Sequence, residues 1–358
     1  MRDSQDWGSV YGVLTYERLS AKPGVFKSMT GLSIEEFQTQ LRRVTPQYEA
    51  LVRSQTERAD RQRAPGGGRK SQHDLTERLL MTMVWLRLYV TCEAVGFMFG
   101  VDKGTVSRFT RPILSILRDL GEDTLGWPKE ARELTETDDT TAKAPPSPTG
   151  SQERPPDDPW QDEESVDPSD TARVVTPDQA DYSDHLAIVD ASEQRTERAR
   201  DYALQKLYYS GKRKTHTIKT QIVVSETGRI RHVADSVPGS THDLTLLRES
   251  GLKAELPEGL TVTGDTGYRG LQNDFPERSV ALPYRPKDKQ KLTPEEKLHN
   301  HFISRIRVVV ENTLCELKHF QALVTRFRHS LERHSEITRA IAGLINCRID
   351  KRLANQAT

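Results

Sequence analysis

Cysteine is nearly missing from this chain: Cys92, Cys315 and Cys347 are the only three among 358 residues. An odd count without metal-type pairing excludes a disulfide framework and a zinc knuckle, and fits a reducing compartment. No apolar run approaches the roughly 20 residues of a membrane-spanning helix. Met1 to Val10 is mostly polar, without the basic-then-apolar order of a signal peptide. A cytoplasmic protein with no membrane partner is therefore expected. Net charge is lacking too, since 52 Lys+Arg balance 52 Asp+Glu.

That balance averages unlike segments. Residues 130–185 hold 16 acidic and 4 basic side chains, which leaves the rest of the chain with 48 basic against 36 acidic. Two mildly basic bodies joined by an acidic connector favour a polyanionic partner. The connector also holds 8 of the 19 prolines. Low hydrophobicity, acidity and proline predict a disordered linker there. It reads as a solubilising spacer, or as an acidic mimic of nucleic acid that fills a basic groove. Four parts follow: an extension over 1–29, a helical domain over 30–129, the linker over 130–185 and an α/β body over 186–358.

The helical domain has marked starts. Ser33 precedes Ile34, Phe37 and Leu41 at helical spacing, and Asp74 precedes the stripe Leu75, Leu79, Met83 and Leu86. Between these helices, Arg58 to Lys70 is basic and glycine-rich and reads as a loop able to touch phosphates. Thr91 to Phe99, a turn at Gly100 and a second helix capped by Asp102 match a helix-turn-helix. Val106, Phe109 and Ile113 face inward on that helix, while Ser107, Arg108 and Arg111 fall opposite, with Lys103 at its start. Hydroxyl and guanidinium groups are what base edges and phosphates accept. An ordinary helical hairpin with a charged outer face would look similar. Pro112 is expected to kink or end the helix.

After residue 185 the period shortens. Leu186–Asp190, Thr215–Val224, Arg229–Val237, Leu260–Asp265 and Val280–Leu282 read as strands, with helices from Pro294 to about Lys318 and from Ser335 to Leu353. This order indicates a mixed sheet covered by helices. Asp190 and Asp265 each read as ending a strand, where side chains converge in α/β clefts. Arg307, Glu311 and Lys318 lie within about 40° of one helix face. Carboxylates flanked by cations suit divalent ions and phosphates, although each acid taken singly reads equally as a surface residue.

Four motifs then occur in order: Tyr209-Ser-Gly-Lys-Arg-Lys-Thr-His-Thr-Ile-Lys219, Pro238-Gly-Ser-Thr-His-Asp243, Gly264-Asp-Thr-Gly-Tyr268 and Arg307-x3-Glu311-x6-Lys318. Together they resemble the DDE transposases of the bacterial insertion-sequence-five group and their Harbinger-like relatives. The resemblance spans about 30–125 and 186–350. It implies a ribonuclease-H-like catalytic domain behind an all-α helix-turn-helix domain. Asp190, Asp265 and Glu311 would be the catalytic acids holding two Mg²⁺ ions, with Mn²⁺ able to substitute, and Asp243 a further metal ligand or else a helix cap. Lys212, Arg213, Lys214, Arg307 and Lys318 would contact DNA, and His216 and Lys219 would contact phosphate or orient an acid, or else belong to a structural strand face. Relatives commonly have Asp-Gly-Thr at the first acid and Tyr three residues before the arginine; this chain has Asp190-Ala191-Ser192 and Ser304. The implied partners are the element's terminal inverted repeats, target DNA and a second copy of the chain, in a bacterial, nucleoid-associated setting.

Overall fold

The computed structural model describes residues 14–57, 73–127, 185–286 and 291–356. The expected linker, up to its last residue, and the basic loop 58–70 lie outside the described residues.

The first half is helical: α1 (Tyr16–Ser20), α2 (Pro23–Thr30), α3 (Ile34–Thr56), α4 (Leu75–Leu88), α5 (Cys92–Phe99) and α6 (Lys103–Glu122). The three expected caps are formed: Ser33, Asp74 and Asp102 accept hydrogen bonds from the backbone N–H of Glu36, Glu77 and Thr105. Each satisfies one otherwise orphaned donor, worth about 1 kcal/mol. Glu36 completes a capping box by accepting from Ser33 N–H at 2.6 Å.

Two expectations are corrected in this half. First, α4 is not an amphipathic stripe. Every residue from Leu79 to Leu86 is buried, because α2, α5, α6 and the turn at Gln321–Leu323 surround it. Second, α6 passes through Pro112 and continues to Glu122. The donor that proline lacks would have met the carbonyl of Arg108, an exposed residue where water can replace it.

The second half comprises β1 (Leu186–Arg195), α7 (Tyr202–Tyr208), β2 (Tyr209–Ser210), β3 (Thr215–Val224), β4 (Ile230–Val233), β5 (Val237–Pro238), α8 (Asp243–Glu249), α9 (Leu252–Glu255), β6 (Thr261–Thr263), α10 (Leu271–Asp274), β7 (Val280–Ala281), α11 (Pro294–Lys318) and α12 (Leu331–Gln356). The sheet runs β2-β3-β1-β6-β7, with β4 and β5 also on the outer edge of β3. β1 is antiparallel to β3 and parallel to β6, so the sheet is mixed. The strand expected over 229–237 is two short pieces, and the pairing of β3 with β4 shifts between Val223 and Val224.

Strand alternation assigns the two faces of the sheet. Ile188, Ile222 and Val224 pack with Val310, Leu314 and Leu317 of α11, whereas Val189 and Val223 pack with Leu244, Leu247 and Tyr268. Helices on both sides of a mixed sheet make this half ribonuclease-H-like.

The two halves share a core. Leu117 of α6 and Ile341 and Ile345 of α12 belong to the hydrophobic cluster that includes Ile188 and Ile222. The helices cross at Gly121 and Gly343, where a side chain on Gly121 would run into the carbonyl of Arg339. Asn346 of α12 closes the junction: its amide accepts from Ile230 N–H and donates to Ile230 O and Thr124 O.

Candidate catalytic site

Asp190 does not end its strand. β1 continues to Arg195, pairing Ala191 with Gln221 and Arg195 with Thr217. The polar run Ser192-Glu-Gln-Arg hides this from a hydrophobicity reading, since partners on β3 rather than apolarity sustain the ladder. Asp190 therefore projects from the middle of a long, rigid strand.

Asp265 lies two residues past β6. The parallel register pairs Ile188 with Thr263, so two residues further the same offset brings Asp265 alongside Asp190. Its Oδ1 accepts from Gly267 N–H at 2.7 Å and caps a 3₁₀ turn over Thr266–Tyr268. A Cβ on Gly267 would stand 2.9 Å from both Asp243 Oδ2 and Asp265 Oδ1, so a side chain there would displace these carboxylates. Glu311, on α11, rests 3.4 Å from Arg307 one turn earlier.

The three acids act on one another. Burial pushes the Asp190 carboxyl above the ordinary carboxylate range; Asp265 and Glu311 push the same way, opposed by the Ala191 N–H and by Arg307. Hard oxygen donors crowded around one guanidinium form the ligand chemistry of Mg²⁺, which relieves such repulsion and keeps several waters. Among the described residues no three His, Cys, Asp or Glu groups stand as a finished metal cage. The donor set, three carboxylates, is of the kind such an ion takes, and Glu311 is paired with Arg307.

Asp243 is neither free nor a cap. It begins α8 without a side-chain cap bond, and Lys219 Nζ holds it at 2.7 Å. Lys219, expected to contact phosphate or orient an acid, is 6% exposed; it also donates to Thr241 O at 2.6 Å and lies 3.8 Å from Glu193. The lysine thus fixes Asp243 beside the Gly267 turn instead of facing solvent. His216 is half-buried with its ring edge on Tyr209. Lys212, Arg213, Lys214 and Lys318 are exposed, and Arg307 is half-buried beside Asp190.

On α6, Lys103, Arg108 and Arg111 are exposed and Ser107 is half-buried. Arg108 donates to Thr105 at 2.7 Å, and the charge of Arg111 reaches His329.

Two groups escaped the sequence reading. Tyr268 is fully buried, its hydroxyl donating to Gln221 at 3.3 Å, and burial followed by Asp243, Asp190 and Asp265 raises its pKa far above 10. It lay inside a quoted motif, so position could have flagged it. His334 gave no signal: its Nε2 meets Gln194 Oε1 at 2.8 Å and its Nδ1 meets Ser236 at 2.7 Å. Gln194 donates in turn to Ala322 O and Thr325 O, tying the strand of Asp190 to α12.

Residues 189–346 match the family model for the DDE superfamily endonuclease, and residues 74–123 match the one for the helix-turn-helix of DDE superfamily endonuclease. A region similar to the DDE superfamily endonuclease thus follows one similar to that superfamily's helix-turn-helix. It is also similar to the probable transposase for insertion sequence element IS702 of Microchaete diplosiphon, at 26% identity over 322 residues covering 90% of this chain and 93% of the relative. No solved structure matches the chain.

Proposed function

We propose that the protein is a DNA transposase of the insertion-sequence-five and Harbinger-like kind, which cuts DNA at element ends and joins the freed 3′-hydroxyls to target DNA. The observation that carries this reading is the convergence of Asp190 on β1 with Asp265 just past the adjoining β6, where Glu311 of α11 is near enough to act on Asp190. Asp190, Asp265 and Glu311, with Asp243 beside them, would hold two Mg²⁺ ions (or Mn²⁺), whose chemistry when bound is to ease deprotonation of the attacking hydroxyl and to neutralise charge developing on the phosphate.

The chain's own residues do the rest. β1 and the 3₁₀ turn fix two carboxylates with little freedom to move. Arg307 parks Glu311 and supplies positive charge near the reacting phosphate. Lys212, Arg213, Lys214 and Lys318 grip backbone phosphates, while Lys103, Ser107, Arg108 and Arg111 read the terminal inverted repeats in the major groove. Processing two ends together calls for a homodimer or larger assembly in the bacterial cytoplasm, on the nucleoid. No described helix is long and apolar enough to cross a membrane.

A nuclease that cuts without joining, and a DNA-binding regulator that has abandoned chemistry, are the rival readings. A pre-cut end offered with target DNA and Mg²⁺ separates them. Joined product is the expected result; hydrolysis alone supports the nuclease, and binding without either reaction supports the regulator.

A further inference from the structure

Beside the catalytic acids lies a second cleft, of about 580 Å³, between the turn after Asp265, β7 and the start of α11. Such a volume is in the usual range for ligand-binding clefts, roughly 300–1,000 Å³. Its walls carry Arg269, Arg285 and Lys291, all exposed. Among the described residues that line it, the one acid, Glu296, is already committed to the capping box of Thr293. Arg285 donates to Thr266, the residue after Asp265, so the cleft opens next to the catalytic centre.

An aromatic ring is displayed in the same cleft. Tyr284 is 51% exposed, yet its backbone is fixed from both sides: its N–H donates to Asn300 Oδ1 at 2.7 Å and its carbonyl accepts from Asn300 Nδ2 at 2.9 Å. His299 pins the same segment through Leu282 O at 3.1 Å and sets its ring edge 4.9 Å from the tyrosine. Leaving an aromatic half in water forfeits part of the stabilisation its burial would give. A rigid, exposed ring amid three cations is the combination that stacks a base while the cations hold its phosphates.

We propose that this cleft binds an unpaired stretch of DNA, with Tyr284 stacking on a base and Arg285 and Lys291 holding the adjoining phosphates as the strand passes the catalytic acids. The proposal rests on the transposase reading for its location, but it is tested by binding alone. The probe is a labelled oligothymidylate, titrated by fluorescence anisotropy against the full chain without divalent metal, with a labelled duplex as control. Tyr284→Ala should weaken oligothymidylate binding roughly tenfold or more, Tyr284→Phe should restore it, and neither should alter duplex binding. Arg285→Gln and Lys291→Gln should each weaken binding and flatten its salt dependence. Unchanged oligothymidylate affinity in Tyr284→Ala, or an equal loss for duplex, would overturn the proposal. Absence of cleavage by the wild-type protein in a separate assay with Mg²⁺ would count against the transposase reading alone.

Discussion

At the scale of residues, the site divides its carboxylates by what holds them. Asp190 and Asp265 are fixed by strand and turn, Asp243 by Lys219, and Glu311 only by Arg307 on its own helix. Glu311→Gln keeps shape but removes charge, so end cleavage in Mg²⁺ should fall by orders of magnitude while end binding persists. Parallel gel assays of both steps check this, and a well-folded variant that still cleaves normally would sink the triad. His334 permits a second prediction. Burial lowers its pKa from 6.5 to about 4, so the folded ring stays neutral where the unfolded one protonates. Stability should therefore decline as pH falls from 6.5 towards 4, by on the order of 3 kcal/mol from this group. Urea unfolding at several pH values should show a shallower decline in His334→Gln. Asp265 and Glu311 were legible from motif and spacing, but His334 was not, since a buried ring on a helix shows no pattern until its partners are in place.

At the scale of elements, α6 has two jobs. Its first turns expose Lys103, Arg108 and Arg111, and its last turns are clamped by α12. Arg108→Ala should cost about 1–3 kcal/mol of discrimination between element ends and unrelated sequence. Equal loss on both DNAs would reduce Arg108 to a phosphate contact. Gly121→Ala tests the other end. Alanine gains about 1 kcal/mol in helix propensity, but its methyl would meet the backbone of Arg339, which cannot swing aside as a side chain can. Overpacking costs about 1–3 kcal/mol, so a net loss of stability is expected in denaturant titration.

At the scale of the whole molecule, α6 and the sheet share one hydrophobic cluster through α12. Heating the full chain should give one cooperative transition, with helical and tertiary signals lost together, whereas two separated transitions by calorimetry would show independent modules. The acidic stretch 130–185 also acts at this scale. If it mimics nucleic acid, shortening it should raise nonspecific DNA affinity, most at low salt; a plain spacer should leave affinity unchanged across the salt titration.

Sequence alone determined whatever depends on local chemistry. Caps at Ser33, Asp74 and Asp102 follow from short polar side chains beside helical periodicity, and the span Pro294–Lys318 follows from a proline start and a capping box. Motif order further pointed to the acids. Tertiary structure alone decided the remainder. Asp190 stands mid-strand because β3 supplies partners to a polar run, Lys219 is buried because Asp243 and Glu193 arrive from other elements, and α4 is enclosed because four neighbours converge on it. In each case the deciding partner is distant in the chain, so no local pattern could carry the information.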